Sequence, residues 1–167
     1  MKFNMREGEE LAYDDVLLVP QYSEIRSRTE IDIGMSFEGS YGNFYFRLPI
    51  IASPMDTVSE SAMSVAMSEQ GGFAIIHRYN TIKEQVALVR RASMGLASPM
   101  SAAIGVSGDY LDRATALYDV GARILCIDVA HGHHVLMKEA LHELRQVFGD
   151  TVHIMAGNVA TLEGYND

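Results

Sequence analysis

From Leu48 onward, short continuous apolar runs take turns with longer stretches whose apolar residues recur at helical spacing. The first run, Leu48-Pro49-Ile50-Ile51-Ala52-Ser53-Pro54-Met55-Asp56, is bracketed by proline and predicts a buried strand over 49–53. A helix over 59–70 follows, with Ala62, Val65 and Ala66 expected on its inner face and Gly71-Gly72 as its stop. Strand 73–77 leads to a helix opened by Thr81, with Glu84 at the spacing of a capping box. Strand 101–105 leads to a helix lined by Leu111, Ala114, Leu117 and Tyr118 and stopped near Gly121. Strand 123–128 leads to a helix with Met137, Ala140, Leu141, Leu144 and Val147 on one face, stopped near Gly149. Strand 151–156 then ends at Gly157-Asn158, with Thr161 placed to cap a further helix.

The pattern amounts to five strand–helix units, the last one short. Parallel strands need crossover connections, so the repeat predicts an α/β fold with a parallel sheet, either doubly wound or rolled into a barrel. A full barrel takes eight units and about 250 residues; this chain has 167. Upstream, Leu11 to Pro20 is too mixed for a clean helix. Gly34, Gly39 and Gly42 among aromatics predict a hairpin or a loop over one end of the core. No internal linker marks a second domain.

Composition narrows the function classes. The chain is 48% hydrophobic and 21% charged, with a formal net charge of -9 and no basic patch, which argues against nucleic acid and anionic membranes as partners. No apolar run is long enough to span a bilayer, and the N-terminus has no signal-peptide core. A single cysteine, Cys126, excludes an internal disulfide and suits a reducing cytoplasm.

Polar residues gather where the predicted strands end: Ser53 and Asp56, His77 and Arg78, Gly105, Asp128, and Asn158. In parallel α/β proteins the C-terminal strand ends form one rim, and chemistry is kept there. Asp128, ahead of Ala130 and Gly132, fits a role in binding ligand hydroxyls, whereas Asp56 serves equally well as a cap or loop hydrogen-bonder. His131-Gly132-His133-His134 raises the possibility of zinc, as H-x-H does in some barrel hydrolases. Here the pair follows the fourth strand, not the first, and a helix entry commonly exposes histidines. Cys126 lies within Ile124-Leu125-Cys126-Ile127, which predicts a small buried hydrophobe and not a nucleophile. Neither a Walker loop nor a G-x-G-x-x-G is present.

Taken in order, these motifs resemble one family, the IMP dehydrogenases and GMP reductases. The resemblance rests on Tyr13-Asp14-Asp15-Val16-Leu17-Leu18-Val19-Pro20, Ser53-Pro54-Met55-Asp56-Thr57-Val58, Gly71-Gly72-Phe73-Ala74-Ile75-Ile76-His77-Arg78, Ala103-Ile104-Gly105, Asp128-Val129-Ala130-His131-Gly132-His133, and Ala156-Gly157-Asn158-Val159-Ala160-Thr161. It implies a (β/α)₈ barrel acting on purine nucleotides at its C-terminal rim, residues 1–167 being its N-terminal five units. Ser53, Met55 and Asn158 would bind the nucleotide. Asp128, with Val129, Ala130 and His77, would bind the nicotinamide cofactor, NAD or, in a reductase, NADP. Arg78 departs from the His-His or His-Lys pair of the family.

The resemblance also sets the competing expectations. The short span from His77 to Met100 leaves no room for the regulatory CBS pair of most IMP dehydrogenases. Ser53-Pro54 favours a dehydrogenase, IMP to XMP with NAD, while Ile154 to Asn158 leans towards a reductase, GMP to IMP; the dehydrogenase is preferred. The family's catalytic cysteine follows the sixth strand, so this polypeptide alone is expected to be inactive and to need a complementary C-terminal half, in tetramers when complete. A non-catalytic truncated homologue that binds nucleotide or partner subunits is the alternative, and a metal hydrolase a remote one.

Overall fold

In a computed structural model, the described residues are 12–39, 42–94 and 99–167. Their contacts divide the chain into two units, meeting between Asp32 and Ile33. The first holds 3-10 turns at Tyr13–Asp15 and Arg28–Glu30, the latter capped by Ser27, whose hydroxyl accepts from the Thr29 N–H. Between them, 16–27 forms no regular element, and Leu17, Leu18 and Tyr22 are exposed. No linker was expected here: the boundary follows the polar stretch Ser23 to Arg28, which holds neither glycine nor proline to mark it.

The second unit opens with an antiparallel hairpin, β1 (Met35–Gly39) and β2 (Gly42–Phe46). Then come β3 (Ile51–Ala52), α1 (Ser61–Glu69), β4 (Phe73–Ala74), α2 (Ile82–Ser93), β5 (Met100–Ile104), α3 (Tyr110–Asp119), β6 (Ala122–Asp128), α4 (Val135–Phe148), β7 (His153–Gly157) and α5 (Leu162–Asn166). Strands β3 to β7 are parallel and neighbour one another in chain order. A bridge between Ile76 and Ala102 joins β4 to β5. Among the described residues, β3 and β7 each keep one edge without a strand partner.

Strand side chains alternate between two cores, as a pleated sheet requires. Ile76, Ala102, Ile104, Leu125 and Ile127 pack with Val89, Leu117, Ala140, Leu144 and Phe148 of the helices. Ile75, Ala103, Ile124 and Cys126 face the other way, onto Phe46 and Phe73, with Phe37 and Met155 beside them. Helices on one face and strands in sequential order are the winding of a barrel; a doubly wound sheet would carry helices on both faces. On the inner face the hairpin contributes an aromatic cluster: Phe46 lies 4.7 Å from Phe73 and Phe37 5.2 Å from His153, centroid to centroid.

Local chemistry sets the helix ends. Thr81 and Glu84 form the expected capping box, and Thr161 accepts from the Gly164 N–H. Two helix faces differ from expectation. In α1, Ala62 and Ala66 are exposed and Ser61 and Ser64 are buried; the Ser64 hydroxyl donates to the Ala74 carbonyl at 3.3 Å, so a serine can serve as the packing residue. In α4, Val147 is exposed and Phe148 takes the inner position.

Candidate active-site rim

Ser53, Met55, Asp56, Cys126, Asp128, Gly157 and Asn158 line one open hollow of about 740 Å³, together with Tyr79 and the inner side chains Ile51, Ile75 and Met155. Four of the residues expected to bind ligand, Ser53, Met55, Asp128 and Asn158, thus come together. Val129 and Ala130 sit beside the hollow without lining it. Their loop is stitched to the end of β7: Val129 N–H donates to Gly157 O at 3.1 Å, Asn158 N–H to Val129 O at 2.7 Å, and Gly132 N–H to Asn158 O at 2.6 Å. A Cβ on Gly132 would stand 2.9 Å from Asn158 O, so only glycine allows this approach.

His77 takes a different position. It is buried, its Nδ1 accepts from the Tyr79 N–H at 3.2 Å, and its Nε2 lies 3.4 Å from the Glu60 carboxylate. With the Nδ1 lone pair engaged, the proton is placed on Nε2, facing Glu60. His77, Glu60, Asp56 and Asn80 line a second hollow of about 510 Å³ on the α2 side. Arg78 turns the other way: its Nη2 donates to the Asp128 carbonyl at 3.0 Å, and the guanidinium lies against Gly105. Arg78 thereby ties together the ends of the second, third and fourth parallel strands.

The Ser53–Asp56 loop is fixed from beneath by a residue that the sequence did not single out. Ser59 is fully buried; its hydroxyl donates to Ser53 O in a short hydrogen bond, and its carbonyl accepts the His77 N–H at 3.2 Å. The turn between holds Thr57 at φ 59°, a left-handed conformation uncommon for a β-branched residue. Nothing in the sequence pattern marks Ser59, because a serine beside a helix start reads as an ordinary cap.

Burial, followed by the charge of Asp128, pushes the Cys126 thiol up to about 12. It is a thiol at neutral pH and a poor nucleophile. His133 and His134 are used locally: His133 Nε2 lies 2.9 Å from the Asp167 carboxylate, and His134 Nδ1 accepts from the Leu136 N–H at the start of α4. Among the described residues no cluster of three or more histidine, cysteine or acidic side chains could hold a metal ion. Nor is any described helix long and apolar enough to cross a membrane.

Comparison with known proteins gives a consistent assignment. The IMP dehydrogenase / GMP reductase domain matches residues 10–167. A GMP reductase of Streptococcus agalactiae is 30% identical over 93% of this chain and 45% of its own length. An inosine-5'-monophosphate dehydrogenase of Nitrosopumilus maritimus is 42% identical, covering 95% of this chain and 58% of its own length. The crystal structure of inosine 5' monophosphate dehydrogenase from Legionella pneumophila superposes with a TM-score of 0.75 at 38% identity, over 90% of this chain and 45% of that one. The chain thus spans about half the length of these relatives, and its α/β fold is part of their barrel. It belongs to the IMP dehydrogenase / GMP reductase family.

Proposed function

We propose that this chain forms the first part of the catalytic rim of a purine-nucleotide oxidoreductase, and that the reaction is the oxidation of IMP to XMP with NAD. The observation that carries the reading is the convergence of Ser53, Met55, Asp128 and Asn158 on one hollow at the ends of parallel strands. Ser53 offers a hydroxyl and Asn158 an amide, a donor-and-acceptor set suited to a nucleotide. The Asp128 carboxylate is acceptor-only and can take both hydroxyl hydrogens of a ribose, which fits a dinucleotide. NAD, when bound, supplies the acceptor for a hydride from the purine. Val129, Ala130 and His77 complete the proposed cofactor side, His77 acting from behind the rim.

Covalent attack on the purine needs a thiolate, and Cys126 does not provide one. The nucleophile therefore comes from residues outside this sequence, on the same polypeptide or a complementary one, with tetramers of complete barrels as the assembled form. The 1–167 segment is read as catalytic barrel without a CBS pair. The Nitrosopumilus match supports this, since it runs over 282 residues against a chain of 167, leaving stretches of that relative without a counterpart here. A cytoplasmic location agrees with the single buried thiol. The reductase reading, GMP to IMP with NADPH, draws on the streptococcal relative.

The test is turnover after this chain is assembled with the remaining strands of the barrel. Production of NADH from IMP and NAD, with the KM for NAD raised roughly 10-fold or more by Asp128→Ala, is the expected result. Turnover of GMP with NADPH instead would assign the reductase. Binding of IMP without turnover of either pair would leave a non-catalytic binder.

A further inference from the structure

Behind the rim, between α2 and α3, lies a buried polar cluster that the nucleotide reading does not use. Gln85 is fully buried and Arg113 is 6% exposed. The Gln85 amide donates to two strand-end carbonyls, Ile76 O at 3.2 Å and Ala103 O at 2.9 Å. Its own carbonyl accepts from Arg113 Nη1 at 2.8 Å. Arg113 Nη2 donates to the Asn80 main-chain carbonyl at 3.1 Å, and the Asp109 carboxylate takes both Nε, at 3.3 Å, and Nη2, at 2.8 Å. One guanidinium thus serves three acceptors on three segments: the loop after β4, the start of α2's inner face, and the loop before α3.

A buried arginine is costly unless its donors are placed, so such a group specifies geometry more than it adds stability. What it holds is the 77–80 loop. Ile76, immediately before His77, is gripped by Gln85, and Asn80 at the loop's far end by Arg113. Between those anchors, His77 is set against Glu60 and Arg78 is extended across Gly105 to the Asp128 carbonyl. We propose that Arg113 and Gln85 are positioning residues: together they lock the 77–80 loop and, through Arg78, hold the Asp128 strand end in its ligand-binding position. The part of this inference that concerns ligand rests on the nucleotide reading above; the locking itself does not.

The experiment is amide hydrogen exchange, with ring-nitrogen NMR of His77, on the full chain and its Arg113→Lys variant. Lysine keeps the charge and can pair with Asp109 but cannot reach all three acceptors at once. Exchange at His77 to Thr81 is expected to rise about 10-fold or more, with that of Leu125 to Ile127 within about 2-fold of the parent. The His77 ring, an Nε2–H tautomer in the parent, becomes a mixture as Tyr79 N–H leaves Nδ1. Should Arg113→Lys fail to fold, Gln85→Glu is used, which keeps an acceptor for Arg113 and loses the donors to Ile76 and Ala103. A uniform rise across the chain, or none in the loop, overturns the proposal. Titration with NAD and with IMP provides the second arm. An NAD dissociation constant weakened at least about 5-fold with IMP unchanged supports transmission to Asp128, and equal weakening of both overturns it. If the parent chain binds neither nucleotide, the nucleotide reading fails while the exchange result still decides the lock.

Discussion

Cys126 shows how much a single position's surroundings matter. Its thiol, raised from 9.0 to about 12, is predicted to resist thiol-specific reagents in the native state and to react at once on unfolding; rapid native labelling would show that reagents reach the sulfur through the hollow it lines. A raised folded pKa means that the folded state keeps its proton longer, so the associated stability is complete below pH 9.0 and is lost as pH climbs towards about 12. Gly132 provides a second test. Gly132→Ala pushes a methyl group against Asn158 O and is expected to destabilise the protein by about 1–3 kcal/mol, with the backbone signals of Val129 and Asn158 shifting first. A urea midpoint equal to the parent's would mean that the two loops yield freely. At this scale the sequence reveals residue types but not their neighbours. Ser53, Asp128 and Asn158 were visible because they follow apolar runs. Arg113 was not, since an arginine on an amphipathic helix looks solvent-exposed until Gln85, Asn80 and Asp109 are seen around it.

Among the elements, α2 has the most explicit start signal. The Glu84 carboxylate accepts from the Thr81 N–H at 2.9 Å and from its hydroxyl at 2.7 Å, and these bonds hold its carboxyl below the usual 4.5. A lowered folded pKa contributes stability above the unfolded value and loses it as pH falls through the folded one. Glu84→Gln is therefore expected to be less stable than the parent at neutral pH, with the gap closing below pH 4.5; urea midpoints at stepped pH measure it. A gap constant with pH would assign the effect to shape and not to charge. Helix ends were legible because capping chemistry is local in sequence: Thr81 with Glu84, Thr161, and the positive-φ glycines Gly121 and Gly149. Helix faces were less so. Periodicity cannot tell that Ser64 is inside and Ala62 outside when the hydroxyl has a carbonyl waiting for it.

Across the whole molecule, repeated strand–helix units announced a parallel sheet, while the choice between winding types stayed open in that pattern and only the family resemblance pointed to a barrel. What decides it is the inner face, where aromatic residues of the hairpin stand in place of a second helix layer. Phe46→Ala, which removes a ring only 3% exposed, is expected to cost about 3–5 kcal/mol, read as a lowered denaturation midpoint. A loss below 1 kcal/mol would show the hairpin to be an ornament on an independently stable sheet. The same aromatic contacts carry a temporal consequence. Phe37 is made early and His153 late, yet their rings meet at 5.2 Å. During synthesis each strand can lie down beside its predecessor as it emerges, but the hairpin must wait for β7 before its own contacts are complete. The hairpin, made before any of the parallel strands described, is thus among the last of these elements to be satisfied.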